Sequence, residues 1–108
     1  MFKTNSEATP VEVFPGVIRR TLSGGERTTL CEITLYKDAV VPLHSHEDEQ
    51  TGYVMRGRMI FKIGDEEREV GAGYGYVVPG NVPHMVTVLE DGMVVEVFSP
   101  PRKEYLDA

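Results

Sequence analysis

"RMIFKIGDEEREV", Arg58–Val70, sets Met59, Phe61 and Ile63 against Arg58, Ile60 and Lys62, breaks at Gly64–Asp65 and resumes at Glu67. Side chains that alternate with a period of two line opposite faces of an extended chain, so this stretch reads as a half-buried strand, a tight turn and a second strand over Glu67–Val70. The same rhythm continues in both directions. Upstream, Arg27–Lys37 sets Ile33 and Leu35 against Glu32, Thr34 and Tyr36, with Cys31 on the apolar side as a small buried hydrophobe. Downstream, Gly71–Pro83 ("GAGYGYVVPGNVP") is expected to form a loop around a short strand, Tyr76–Val78. Asp91–Gly92 suits the left-handed geometry of a tight turn, which predicts a hairpin joining His84–Leu89 to Met93–Phe98. Pro100 and Pro101 end the last strand, and "RKEYLDA" forms a brief helical turn or a tail. The expectation is a single all-β domain over residues 1–108, a sandwich or barrel, with residues 1–10 as an N-terminal arm and 99–108 as a C-terminal tail.

Charge and composition exclude several classes of function. The chain has 108 residues and a net charge of −6, from 17 acidic against 11 basic side chains. That balance lacks the basic footprint that nucleic acid or an anionic membrane demands. Arg19, Arg20, Arg56, Arg58, Lys62 and Arg102 include potential partners for a carboxylate and as a group read as surface charge. Cys31 is the one cysteine, so no disulfide forms within the chain, and Met1–Pro10 has no apolar block of the signal-peptide kind. No apolar run reaches the roughly 18 residues that span a bilayer. A cytoplasmic setting is expected. Small domains bury a limited fraction of their surface and often gain stability by pairing, so a homodimer is expected as well.

The chemistry concentrates in "PLHSHEDEQTGYVMRG", Pro42–Gly57. In extended backbone, residues i and i+2 share a face, so His44 and His46 present two imidazoles that one metal ion can bridge. Imidazole with its ordinary pKa of about 6.5 is neutral and able to ligate at pH 7. Two ligands do not close a site. The third histidine, His84, follows the rigid "PGNVP" turn, which can aim it back across a barrel. Glu47, Asp48 and Glu49 read as a solvated acidic turn. "GAGYGY" has neither the spacing nor the following helix of a phosphate loop.

These intervals resemble those of the cupin superfamily, small double-stranded β-helix (jelly-roll) barrels. The first cupin motif, G-x5-H-x-H-x3/4-E-x6-G, is matched by His44, His46, Gln50 and Gly57, with Gln50 where glutamate usually stands and Asp38 at the opening glycine. The second, G-x5-P-x-G-x2-H-x3-N, is matched by Gly73, Pro79 and His84, with Asn81 at the internal glycine and Val88 at the closing asparagine. The resemblance implies a divalent transition metal (Zn, Ni, Fe or Mn) held by His44, His46, Gln50 and His84. Glu49, turned the opposite way, is the alternative fourth ligand. An amide in place of a carboxylate leaves the metal charge uncompensated, a centre suited to anions.

Within the cupins, the length, the "HSH…Q" run and the ending Phe98–Leu106 are similar to the KdgF-like pectin-degradation proteins. Those open 4,5-unsaturated uronates to linear keto forms. The likeness implies Glu96 and Phe98 beside the metal, with Glu96 as proton shuttle and Phe98 against the sugar ring, and Arg102 as a contact for an anionic or sugar-like small ligand. Val94, Glu96 and Phe98 share one strand face, and parity alone does not tell whether that face looks inward. Two other readings stay open: a dioxygenase with a mononuclear metal, and a non-catalytic barrel that binds a small ligand.

Overall fold

A computed structural model describes residues 1–106, so the ends of the predicted tail, Asp107 and Ala108, lie outside the described residues. Eight strands follow one another: β1 (Val11–Phe14), β2 (Val17–Gly24), β3 (Thr29–Leu35), β4 (Val40–His44), β5 (Glu49–Ile63), β6 (Glu66–Gly71), β7 (Gly75–Val78) and β8 (His84–Ser99). All pairings are antiparallel. A turn of 3-10 helix precedes them at Asn5–Glu7 and another follows at Lys103–Tyr105, inside the predicted tail.

β5 and β8 run side by side along their whole length and organise the rest. Their halves belong to two layers. Glu49–Val54 and Val94–Ser99 pair with each other, with β7 on one side and β3, β2 and β1 on the other. Arg58–Ile63 and His84–Glu90 pair in the opposite layer, flanked by β6 and β4. Register therefore brings both ends of each long strand to one end of the barrel: Gln50 lies opposite Phe98, and Ile63 opposite His84. At the far end both strands bend between layers and their glycines touch. A Cβ on Gly57 would lie 2.5 Å from the Gly92 Cα, and one on Gly92 would lie 2.5 Å from the Arg56 carbonyl oxygen.

This corrects the predicted hairpin at Asp91–Gly92. β8 is continuous through that dipeptide, and its two halves pair with β5 and not with each other. Gly92 serves close backbone approach, a role glycine has in strands as often as in turns. Asp91 uses its carboxylate to accept the Lys37 backbone N–H at 2.7 Å. The hairpin at Gly64–Asp65 forms as expected, between Ile63 and its partner Glu66, with Gly64 at φ 58°.

The inward faces follow the alternation. Cys31, Ile33, Leu35, Val54 and Val94 of one layer join Met59, Phe61, Val86 and Val88 of the other in one core. In β5 the inward positions change parity, from even at Gln50, Gly52 and Val54 to odd at Met59 and Phe61. The register shifts between Val54 and Met59 absorb the odd residue. A bulge bends the strand and re-aims its side chains, here at the corner between layers.

The backbone at the motif glycines shows why the two substitutions are tolerated. Gly57 and Gly73 have φ of 90° and 96°, and Asp38 and Asn81, standing where glycine is usual, have φ of 72° and 66°. Asn and Asp are the non-glycine residues that enter this left-handed region at least cost. Asp38 donates its N–H to the Val88 carbonyl at 2.9 Å, so two of the four departures from the motifs are hydrogen-bonded to one another. One sequence expectation fails outright: Arg19 is 5% exposed, buried on the inner face of β2, and not surface charge.

Candidate metal centre

His44 closes β4, His46 lies in the loop that follows, and His84 opens β8. Their ring centroids are 4.2 Å apart for His44–His84, 4.9 Å for His46–His84 and 5.7 Å for His44–His46. One ligand atom from each lies within 4.8 Å of the others. The second motif's turn makes this convergence possible. Asn81 donates its N–H to the His46 carbonyl at 2.7 Å, and Gly80 lets the chain approach the Glu47 carbonyl, where a Cβ would sit 2.6 Å away. The turn thus braces the loop that carries His46 while it launches the strand that carries His84.

Each imidazole is oriented by its own backbone. The Nδ1 atoms of His44, His46 and His84 lie 2.8, 2.9 and 2.9 Å from the carbonyl oxygens of Pro42, Asp48 and Val82. A carbonyl only accepts, so every ring is protonated at Nδ1 and turns a lone pair at Nε2 toward the centre. Burial holds His84 down to about 4, and burial followed by the Arg102 charge lowers His46. Both rings are therefore neutral at pH 7.

The donor set fits a cation. The Nε2 of His84 is buried and has no hydrogen-bond partner among the described residues. The Oε1 of Gln50 faces the Nε2 of His46 at 3.1 Å, and with the His46 proton on Nδ1 these are two acceptors in contact. Acceptor lone pairs gathered in a buried space repel one another unless a positive centre lies among them. Gln50 is 5% exposed and on the inner face, whereas Glu49 is exposed and points outward. The structure brings the three histidines and Gln50 together and leaves Glu49 out.

Glu96 and Phe98 also face inward, which decides the parity question. Glu96 is 8% exposed, and its carboxyl is raised above the usual range by burial, against the lowering effect of hydrogen bonds from Tyr76 and Gln50. Both donors, the Tyr76 hydroxyl and the Gln50 amide, reach the same oxygen, Oε2. Oε1 has no protein donor among the described residues. Phe98, 2% exposed, packs its ring against His46 at 5.8 Å and Tyr105 at 5.4 Å. Arg102 lines the same cavity as His44, His84, Glu96 and Phe98. Its guanidinium lies over Tyr105 at 4.5 Å, and its Nε pairs with Glu104 at 3.2 Å and approaches Asp48 at 3.9 Å.

Tyr76, Gly52 and Arg19 escaped the sequence reading. Tyr76 reaches Glu96 because its β-strand partner is Gly52, where any Cβ would collide with the Tyr76 ring. Arg19 lies over the other inner aromatic, Tyr105, at 4.1 Å. A glycine opposite a tyrosine is a signal only once the β5–β7 register is known, and Arg19 differs from its exposed neighbours only through strand phase.

With this geometry in place, comparison with known proteins agrees with it. The cupin domain family matches residues 31–99, the span from β3 through β8. The chain belongs to the cupin family. It is 29% identical over 97 residues to the pectin degradation protein KdgF of Dickeya dadantii, covering 88% of each chain. The structure of KdgF from Halomonas sp. superposes with a TM-score of 0.90 at 30% identity, over 98% of both chains. An RmlC-like cupin from Shewanella frigidimarina shares the fold, with a TM-score of 0.91 at 23% identity over 97% of this chain and 95% of that one. Fold, histidine triad and family together point to a metal-binding cupin. Among the described residues no helix is long and apolar enough to cross a membrane.

Proposed function

We propose that this cupin is a metal-dependent enzyme acting on small sugar acids, opening 4,5-unsaturated uronates to linear keto forms. The observation that carries this reading is the convergence on one cavity of a ligand set and a buried carboxyl with one oxygen held by two donors. His44, His84, Gln50, Glu96, Phe98 and Arg102 all line it, in a chain similar along most of its length to pectin-degradation KdgF.

His44, His46 and His84 through Nε2, with Gln50 through Oε1, would hold a divalent transition metal (Zn, Ni, Fe or Mn). Such an ion supplies Lewis acidity toward the sugar carboxylate and an adjacent hydroxyl. The remaining work falls to the side chains. Arg102 draws in the carboxylate, and Phe98 offers its ring to the sugar. Glu96, with Oε2 held by two donors and Oε1 free, takes the proton of the anomeric hydroxyl as the bond from C1 to the ring oxygen breaks. It returns that proton to C4 as the enolate becomes the ketone. Burial favours this exchange, because it raises the Glu96 carboxyl above the usual range and makes it a better proton acceptor. The net change moves one proton and needs no oxidant.

The test is turnover of a panel of unsaturated uronates by metal-loaded protein, with and without oxygen. The reading requires ring opening at equal rates in both atmospheres, and loss of turnover in Glu96→Gln at saturating metal. Oxygen consumption coupled to turnover would favour a dioxygenase, and binding without turnover a ligand-binding barrel. Unchanged turnover in Glu96→Gln would remove Glu96 from the mechanism.

A further inference from the structure

Gln50 and Glu96 are joined in a way that bears on how this centre binds its metal. The Gln50 side chain lies between two sets of acceptors. On one side is the Nε2 of His46, 3.1 Å from the amide Oε1, and on the other is Oε2 of Glu96, which accepts from the amide Nε2. Rotating the amide by half a turn would set its oxygen against the Glu96 carboxylate and its N–H groups toward the histidines. The observed orientation gives the amide N–H to Glu96 and leaves Oε1 and the His46 Nε2 as two acceptors that a cation would satisfy together. Tyr76 fixes the same oxygen of Glu96 from another direction, and Gly52 leaves the room for its ring to arrive. The chain Tyr76–Glu96–Gln50 thus ends in a carbonyl oxygen aimed at the three imidazoles.

The charges complete the picture. Three neutral imidazoles and an amide bring no negative charge to a divalent cation, yet Glu96, buried beside the amide, lies one hydrogen bond farther out. A buried carboxylate that accepts a hydrogen bond from a neutral ligand strengthens that ligand and offsets part of the cation's charge, as carboxylates do behind metal-bound histidines.

We infer that Glu96, through Oε2, is a positioning residue for Gln50 that supplies at one remove the negative charge usually carried by a ligating glutamate. Its two oxygens divide the labour: Oε2 serves the metal centre, and Oε1 faces the ligand. This rests on the reading of His44, His46, His84 and Gln50 as the metal site, and extends it to a residue that touches no metal. A corollary is that positions 50 and 96 are coupled. A glutamate at 50 with Glu96 retained would bring two carboxylates into contact, whereas the exchanged pair, Gln50→Glu with Glu96→Gln, restores one donor and one charge in the same space.

The experiment is titration of metal-free protein with Zn and with Co, read by calorimetry and by the Co absorption spectrum, for the native chain, Glu96→Gln and the double exchange Gln50→Glu/Glu96→Gln. Glu96→Gln keeps the hydrogen bonds and loses the charge. It should bind about tenfold to 100-fold more weakly, the usual range for a lost supporting group, while the double exchange should recover native affinity or exceed it. Tyr76→Phe should alter the Co spectrum with a smaller loss of affinity. Equal affinity in Glu96→Gln and the native protein overturns the inference, as does a double exchange that binds no better than Glu96→Gln. A native chain that takes up neither metal overturns the metal centre itself. Circular dichroism of each variant identifies any that fails to fold, and then Glu96→Asp, which keeps the charge and should retain most of the affinity, replaces it.

Discussion

The two ends of this barrel are built on opposite terms. At the far end, β5 and β8 turn from one layer to the other with backbone against backbone, and the Gly57–Gly92 contact leaves no space for a side chain. At the site end, the same two strands begin and finish with side chains that reach inward: Gln50, His84, Glu96 and Phe98. One end holds the fold by excluding side chains, and the other gathers polar ones that the fold must shelter. The difference teaches that stability and chemistry are separable here, although the same strands supply both.

Substitution should expose that separation. Gly92→Val is the largest expected effect: its Cβ would meet the Arg56 carbonyl oxygen at 2.5 Å and the Gly57 Cα at 3.0 Å, both backbone. A loss of about 4 kcal/mol or more is expected, in the range reserved for severe core lesions, measured by urea denaturation. A variant that folds with native stability would break the comparison. At the opposite end, Phe98→Ala should cost about 3–5 kcal/mol because the ring is both core and cavity wall. It marks the point where the two roles overlap.

His84→Ala should abolish stoichiometric metal binding while the metal-free protein keeps its fold, since it removes a buried nitrogen, Nε2, that has no hydrogen-bond partner among the described residues. Metal analysis beside a denaturation curve checks both halves. The native ring also predicts a pH effect. His84 is held at about 4 when folded, against about 6.5 in an unfolded chain. The unfolded state then binds the proton first, so this contribution to metal-free stability is complete above about pH 6.5 and is lost as the pH falls toward 4. Denaturation curves of native protein and His84→Ala should converge over that interval. The smallest effect belongs to Gly64→Ala. Its φ of 58°, with an added Cβ making only an ordinary 3.4 Å contact with the Val82 side chain, predicts a cost of about 1–2 kcal/mol, set by the left-handed backbone.

Gly64–Asp65 and Asp91–Gly92 mark the limit of what local sequence conveys. Both pairs carry turn chemistry, and only the first makes a turn. The second bends yet remains in β8, with Leu35 of β3 opposite Gly92 on one side and Gly57 of β5 against it on the other. Likewise, alternation along β3 identified Ile33 and Leu35 as core, while the same alternation in β2 left Arg19 among the surface residues, because an arginine at an inward phase looks like any other arginine.

The sequence by itself determined the alternating strands, the two motifs and the spacing of the three histidines. Each of these is a property of neighbouring residues. Tertiary structure alone decided that Glu96 faces inward, that Gln50 and not Glu49 joins the histidines, and that Tyr76 reaches over Gly52. Those outcomes depend on the register between strands distant in the chain, and register is set by which faces must be buried together.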